Sequence, residues 1–411
     1  MPLPEDPALD STRAFFAEGY DWIGNRCRML DSDVFRARIL LQPVVCMMGE
    51  EAARRFYDGE SFTRAGAMPQ TTLRQLQDKG SVQSLDGAPH LHRKQLFLVM
   101  MGARDPAEAL ADAFERRWHA AVPGWRGEDM VNMHAAFGGL LCGAACDWLG
   151  IPVEDEALDR RTHEMLAMID GAGSVGARAW RGLALRRRAE RWARQTIQDV
   201  RDGTLSVAPE TPIARLATFR DLDGELLDVR TAGVELLNVV RPTVAVARFL
   251  CFATLALHAA PRAAAFVERR DPARLQAFAQ EVRRFYPFFP VIGGRVRAPF
   301  TFRDHAFAIG DWVLLGLHAT NHDPRLWEAP ETFRPERFLN QEPGAFALVA
   351  QGAGAHAIDH RCPGEWMTLA LLRRLVPLLG VTNYRLPPQD LTIPRDRFPT
   401  LPKSELCLRF G

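Results

Sequence analysis

The sequence predicts a mainly α-helical protein with a small β component. Three long segments place apolar residues at helical spacing, over residues 131–149, 177–201 and 225–259. Runs with the character of strands are few and short, namely 34–41, 45–48, 300–307 and 312–317. Neither an internal repeat nor a low-complexity linker interrupts the chain. Length alone would suggest two or three domains, but that prior is soft.

The first long helix is predicted over the apolar segment 131–149. Cys142 and Cys146 lie four residues apart in it, so they would share one helix face and could bind a metal ion. No second His or Cys pair at zinc spacing accompanies them, which favours small core side chains instead. The seven cysteines are odd in number and unclustered, as expected in a reducing cytosol rather than in a disulfide framework.

The second helix, over 177–201, is amphipathic and carries eight arginines. One interpretation is a patch for a membrane surface or for a partner protein. The favoured interpretation is a solvated helix face, with four apolar residues turned toward the core: Trp180, Leu183, Trp192 and Ile197.

The third helix is unusually long and has Pro242 near its middle, where the missing N–H should kink it. Arg248 interrupts the most apolar stretch of the chain, over 243–260, and the N-terminus lacks the pattern of a signal peptide. We therefore expect a soluble, cytoplasmic protein with no transmembrane segment. The balance of 51 basic and 50 acidic residues argues against nucleic acid as a partner.

The segment 351–366 carries the clearest chemical signal. It is rich in glycine, which allows the backbone to approach a flat ligand closely, and it ends at Cys362, just before an apolar helical run over 367–379. A cysteine near a helix N-terminus is favoured as a thiolate, and a thiolate is a strong electron donor to haem iron. The alternative is a buried structural cysteine. A long irregular segment, 323–363, contains this loop, and ordered loops of that length are usually functional.

Two further segments carry charges at informative spacing. Glu281 and Arg284 would share one face of a helix, and Arg337 follows about fifty residues later in a Pro-Glu-Arg-Phe sequence. If Arg337 reaches the first pair, the three charges form a network that pins the loop holding Cys362.

Together these segments resemble the cytochrome P-450 superfamily, over essentially the whole chain. The resemblance implies one mainly helical domain over residues 1–411. It also implies that haem b lies between a long central helix and the cysteine loop, with Cys362 as the axial ligand of the iron. The segment 86–94 is similar to the part of the family that contacts the haem propionates. Candidate propionate partners are His90, Lys94, His360 and Arg295, because cationic donors suit carboxylates.

The chain also departs from the usual family pattern. Ala355 stands where most members have phenylalanine, so we expect the loop around it to be longer. In the central helix, Val239–Ala245 lacks the acidic residue that most members place before a threonine to deliver protons. Arg241 stands there instead. A guanidinium in an apolar helix is costly unless it is paired, which favours an anionic ligand over a distant carboxylate or a surface position.

The Arg-Pro pair of the central helix, together with residues 283–290, resembles the fatty-acid peroxygenase subfamily. That resemblance implies that hydrogen peroxide is the oxidant and that no redox partner is required. It implies that Arg241 binds the fatty-acid carboxylate, which then does the general acid–base work on the peroxide. Pro242, Phe288 and Phe289 would line the substrate pocket. The expected product is hydroxylated at the alpha or beta carbon.

Gln83 is expected to bias the position of attack. Members with His at this position tend to attack the beta carbon or to decarboxylate, whereas members with Gln are similar to alpha-hydroxylases. A neutral amide cannot donate a proton as an imidazolium can. The alternative is a loop residue remote from the haem. Two other functions stay open for the whole chain: a conventional monooxygenase with a ferredoxin partner, and a haem-thiolate sensor without turnover.

Overall fold

The computed structural model describes residues 3–77, 80–174 and 176–411. The helices are α1 (Thr12–Glu18), α2 (Trp22–Met29), α3 (Glu50–Phe56), α4 (Gln70–Leu76), α5 (Gly87–Met101), α6 (Arg104–Trp125), α7 (Met133–Leu149), α8 (Asp155–Gly171), α9 (Ala177–Arg201), α10 (Pro212–Ala217), α11 (Val229–Ala245), α12 (Ala247–Ala259), α13 (Pro261–Val267), α14 (Pro272–Phe285), α15 (Leu317–Asn321) and α16 (Glu365–Val381). The strands are β1 (Val34–Ile39), β2 (Gln42–Met47), β3 (Phe62–Thr63), β4 (Val131–Asn132), β5 (Val291–Val296), β6 (Phe300–Phe302), β7 (His305–Phe307), β8 (Trp312–Gly316), β9 (Tyr384–Arg385) and β10 (Cys407–Phe410). The prediction of a mainly helical protein with a minor sheet is confirmed.

The long central helix runs through the largest hydrophobic core of the protein. It begins at Val229, because the Asp228 carboxylate accepts from two free N–H groups of the first turn. The predicted interruption is present: α11 ends one turn after Pro242, and α12 begins at Ala247. By length and composition the run Val229–Ala259 could cross a membrane, but 94% of its apolar window lies inside the protein, as in a core helix.

The main sheet has the strand order β1-β2-β8-β5-β3, with β2 and β8 parallel and the other pairs antiparallel. The predicted strands over 34–41, 45–48 and 312–317 are present in it. The run 300–307 is instead a hairpin of β6 and β7, because Arg303 and Asp304 turn the chain with φ values of 50° and 59°. Strand β5 was not predicted, since Gly293 and Gly294 weaken its strand pattern.

Helix α9 has the predicted bounds, but the prediction that Trp180 belongs to the core is wrong. Ile197 is fully buried, whereas Trp180 is 72% exposed. The inner side of the helix is formed largely by small residues, which let α8 and α11 approach closely: Ala179, Gly182, Ala189 and Ala193. Trp180 points away from this side because of the helical period. Cys142 and Cys146, in α7, are buried core residues, as the favoured interpretation predicted.

Candidate functional site

One cavity lies between α11, α5 and the loop that precedes α16. Nine of the residues proposed from the sequence line it: Gln83, His90, Lys94, Arg241, Pro242, Phe288, Phe289, His360 and Cys362. These residues come from segments that are far apart in the chain. The fold therefore collects them at one place.

Of the residues predicted to bind cofactor or substrate, Arg295 does not line the cavity. Its predicted role as a propionate partner is wrong. It lies on β5, where its guanidinium donates to Gly310 O at 3.2 Å and stacks over the Trp312 ring at 5.5 Å. Side chains alternate along a strand, so Ile292, which lines the cavity, and Arg295 point to opposite faces of the sheet. The sequence alone did not show which face of this strand meets the cavity.

Arg241 is buried, with only 3% of its surface exposed. Its Nη2 donates to Leu76 O and, at 3.0 Å, to Asn238 Oδ1. Its Nη1 has no partner in the part of the chain that the structure describes, and no carboxylate there forms an ion pair with it. Burial, and secondarily the nearby Arg186, lowers the pKa of Arg241. A buried guanidinium without an ion-pair partner is stabilised by an anion that binds in the cavity.

Asn238 connects Arg241 to Gln83. Its Nδ2 donates to Gln83 Oε1 at 3.2 Å and to Glu235 Oε2 at 2.8 Å. Glu235 is fully buried and paired with Arg93 at 3.0 Å. Because Asn238 offers Gln83 a donor, Gln83 turns its carbonyl oxygen there and leaves its NH₂ group for the cavity. Sequence reasoning did not identify Asn238, although its position three residues before Arg241 places both on one helix face.

The cysteine loop brings Cys362 to the cavity wall. Gly352 and Gly354 adopt φ values of 89° and 88°, which other residues rarely do, so the loop depends on glycine there. The N–H of Cys362 donates to Gln351 O at 2.9 Å. Of the described cysteines, Cys362 alone lines this cavity. Cys407, by contrast, lies in β10 and pairs with β4.

From the sequence, a helix N-terminus is expected to favour the thiolate of Cys362, and the structure differs on this point. Burial raises its pKa, and this effect outweighs the opposing N–H of Gly364 and the charges of Arg283 and Lys94. Helix α16 begins only at Glu365, three residues later, so the helix end does not suffice to make a thiolate. Coordination to a metal ion removes the proton of a cysteine ligand in any case.

Two ion-pair networks hold the segments around the loop. Glu281 and Arg284 are fully buried and 2.7 Å apart, and Arg337 reaches Glu281 at 3.2 Å, so the three predicted partners lie together. Arg284 also donates to Asn321 O and Pro330 O. This network therefore fixes the segment after α15, rather than directly pinning the cysteine loop as expected.

The cysteine loop itself is held by a second network, which sequence reasoning missed. Glu365 pairs with Arg283 at 2.7 Å and with Arg361 at 2.6 Å. Burial alone would raise the pKa of Glu365, but the two guanidinium groups outweigh it and hold that pKa at about 2. The sequence offered one signal for this network: Arg283 lies next to Arg284 and two residues after Glu281, within the Glu-x-x-Arg segment.

The wall beside Cys362 is rich in nitrogen donors. The rings of His90 and His360 stack with centroids 3.9 Å apart. Lys94 donates to Asp359 O and, at 3.1 Å, to Arg361 O, and burial lowers its pKa to about 8. Burial, followed by the charge of Lys94, lowers the pKa of His90 to about 4.

Arg64 lies behind this wall, over the ring of the cavity residue Tyr57, and no local pattern in the sequence marks it. It is buried against Phe56 and Tyr57, and it donates to Gly293 O at 3.2 Å. Its charge contributes to lowering the pKa of His90 and of His360.

These residues fit haem b. Cys362 offers one sulfur ligand on the cavity wall. Lys94 makes its hydrogen bonds to carbonyl oxygens and forms no ion pair in the described chain, which suits it to a propionate carboxylate. His90, His360 and Arg64 lie in the same region, so two propionates would meet donors there.

Comparisons with known proteins agree with the assignment of a haem site. Residues 273–400 match the family model described as Cytochrome P450. The structure is similar to that of Cytochrome P450EX alpha with myristic acid, at a TM-score of 0.95 and 37% identity, covering 100% of this chain and 98% of the other. It is also similar to Cytochrome P450SP alpha in complex with (R)-ibuprophen, at a TM-score of 0.94 and 39% identity, covering 98% of each chain.

Curated relatives match over a shorter stretch. Cytochrome P450 4e5, mitochondrial, from Drosophila mettleri is 31% identical over 148 residues. The match covers 35% of this chain and 28% of that protein, so the chain spans little more than a quarter of that relative's length.

Proposed function

The chain belongs to the cytochrome P450 family, and from that membership we propose that it is a peroxygenase that hydroxylates long-chain fatty acids with hydrogen peroxide. As a member of the family it is a haem-thiolate oxidoreductase, and its cofactor is haem b. The proposed position of attack is the alpha carbon, with the beta carbon as the second site. We propose that it acts in the cytoplasm and needs no redox partner.

The observation that carries this proposal is the unpartnered Nη1 of Arg241. A buried guanidinium is stabilised by a carboxylate, with which it can form two parallel hydrogen bonds. Two similar structures were solved with carboxylic acids, myristic acid and (R)-ibuprophen. We extend that class of ligand to this chain, with Arg241 as the group that binds the carboxylate.

Cys362 is the proposed axial ligand, and His90, Lys94, His360 and Arg64 are the proposed propionate partners. When bound, haem supplies the iron centre at which peroxide is activated and oxygen is transferred. The residues of the chain determine how the substrate meets that centre. The second network, through Glu365, holds the loop that carries Cys362.

The bound carboxylate supplies the acid–base group that the part of α11 around Arg241 lacks. The segment Val239–Ala245 contains no acidic side chain. A carboxylate held by Arg241 can accept a proton from one oxygen of hydrogen peroxide and return it to the other. Holding the carboxylate also makes the alpha carbon the nearest carbon of the chain to the reacting centre.

The rest of the cavity suits an apolar chain. Phe288 stacks on Phe249 with ring centroids 4.7 Å apart, and Phe289 packs edge-on against Phe288 at the same distance. Leu76 and Ile169 extend the apolar wall. A long hydrocarbon chain would gain burial against these side chains.

Turnover by the haem-loaded protein tests this proposal. Hydrogen peroxide and a long-chain fatty acid, supplied without a reductase, should give alpha-hydroxy acid by mass spectrometry. Product that forms only with reduced nicotinamide, a reductase and dioxygen would favour the conventional monooxygenase. Fatty-acid binding without turnover under either condition would favour a sensor.

A substrate without a carboxyl group tests the role of the carboxylate. An aromatic reductant should be oxidised poorly by the protein and peroxide alone. A short carboxylic acid, too small to fill the cavity, should restore oxidation by occupying the site at Arg241. If the short acid has no effect, the substrate-assisted part of the proposal is wrong.

A further inference from the structure

The outward side of α9 presents one continuous stripe of exposed residues. Trp180, Ala184, Arg187 and Arg191 are spaced by four, three and four residues, so they lie in line along the helix. All four are exposed, and Trp180 is 72% exposed. We call these four residues the outer face of α9. Trp180 is the most exposed of the tryptophans that the structure describes, followed by Trp366 at 43%.

The outer face carries positive charge, and no acid that the structure describes is paired with it. Arg187 and Arg191 make no hydrogen bond or ion pair with any residue that the structure describes. Glu190, between them in sequence, turns toward the inner side and pairs with Arg186 at 2.6 Å. The charges of the outer face are therefore available to a partner.

The neighbouring helix α8 does not neutralise this face. Arg188, beside the outer face, interacts electrostatically with Glu164, which is buried and paired with Arg161 at 2.7 Å. Asp170, near the end of α8, is paired with Arg248. The acids of α8 that lie beside the first half of α9 are thus already engaged.

The inner side of α9, opposite the outer face, lies near the substrate cavity. Gln75 of α4 donates to Ala179 O, one residue before Trp180, at 3.4 Å. The next two residues after Gln75, Leu76 and Gln77, line the cavity, as does Ile169 of α8. The beginning of α9 is therefore connected to the cavity wall through α4.

We propose that the outer face of α9 docks the protein on the surface of a lipid bilayer that contains anionic phospholipid. Arginine side chains bind the anionic headgroups, and an exposed tryptophan is stabilised at the level of the headgroups. A nucleic acid would bind the arginines but gives no reason for the exposed indole between them. Delivery of fatty acid from the bilayer to the cavity rests on the proposed function, whereas docking itself does not.

Binding to vesicles tests the docking directly. The haem-loaded protein should bind vesicles of phosphatidylglycerol mixed with phosphatidylcholine, bind vesicles of phosphatidylcholine alone much less, and release as salt rises. Two arginines near the surface contribute roughly 25-fold to the partition coefficient. Arg187→Gln/Arg191→Gln should therefore lower it roughly 25-fold, and Trp180→Ala should lower it as well.

A matched control removes the same charge elsewhere. Arg262 and Arg269 are exposed and belong to α13 and the turn after it, which packs on α12 and α14. Arg262→Gln/Arg269→Gln should leave vesicle binding unchanged. Equal losses in both double variants would overturn the docking surface, because net charge alone would then explain them. Binding to duplex RNA as tight as to vesicles, with no effect of Trp180→Ala, would also overturn it.

Turnover separates this inference from the proposed function. With a fatty acid dispersed in solution, the outer-face variants should keep wild-type peroxide turnover, and they should lose turnover only of fatty acid held in vesicles. If the wild type has no turnover but its vesicle binding depends on these residues, the proposed function fails and the docking surface stands. If vesicle binding does not depend on them while turnover is normal, the docking surface fails.

Discussion

Asn238 Oδ1 accepts a hydrogen bond from Arg241 Nη2 at 3.0 Å, within one turn of α11. This bond and the one to Leu76 O engage one end of the guanidinium and leave Nη1 without a described partner. Because Asn238 also donates to Gln83, one amide orients both residues proposed to act on the substrate. Arg241, the proposed carboxylate site, and Gln83, the proposed selectivity residue, are thus linked by hydrogen bonds through Asn238.

Replacing Arg241 should nearly abolish fatty-acid oxidation. Loss of one buried charge-assisted pair costs about 3–5 kcal/mol, or roughly two to four decades in kcat/KM. Arg241→Ala should show that loss while its haem spectrum is unchanged. Arg241→Lys should restore activity only in part, because an ammonium lacks the planar fork that matches a carboxylate. Loss of haem together with activity would instead identify Arg241 as a structural cation.

Replacing Gln83 should change the position of attack. Gln83→His should raise beta-hydroxy acid, or terminal alkene, relative to alpha-hydroxy acid, because an imidazolium can donate a proton that an amide cannot. Product ratios by gas chromatography measure the change. Gln83→Asn keeps an amide and serves as the matched control for a change in shape. If both variants keep the wild-type ratio, the shape of the cavity alone decides the outcome.

Cys362 should be the cysteine that binds the iron. Cys362→Ser should abolish the red-shifted carbonyl band of a thiolate-ligated ferrous haem. Cys407→Ser should keep that band, because Cys407 lies in β10 and not at the cavity. A band that survives in the first variant and disappears in the second would reverse the assignment.

Glu365 should stabilise the folded protein in a pH-dependent manner. Its pKa is lowered from 4.5 to about 2 by Arg283 and Arg361. The unfolded chain therefore binds the proton more tightly, so the stabilisation is fully present above about pH 4.5 and is lost as the pH falls toward 2. A shift of this size corresponds to about 3 kcal/mol.

Urea unfolding of the haem-loaded protein measures that contribution. Glu365→Gln should lower the free energy of unfolding by about 3 kcal/mol at neutral pH, and the difference from wild type should shrink below pH 4.5. Glu336→Gln, an exposed glutamate in the segment after α15, is the control and should have little effect. A difference that stays constant down to pH 3 would show that the charge of Glu365 is not responsible.

Local patterns in the sequence predicted much of the fold. The helical period located α9 to the residue, and Pro242 marked the interruption of the central helix, because both depend on residues within one or two turns. The strand pattern failed at β5, where Gly293 and Gly294 are kept in the sheet by pairing with β8 rather than by strand propensity.

By itself, the sequence determined that a lone cysteine follows a glycine-rich loop and that an arginine replaces the acid of an apolar helix. The side chains that meet these two residues come from distant segments and depend on how the elements pack. The tertiary structure placed Asn238 between Gln83 and Arg241, paired Glu365 with Arg283, turned Arg295 away from the cavity and left Trp180 exposed. The physical reason is that spacing along a helix or strand fixes which residues share a face, whereas the packing of whole elements decides what that face contacts.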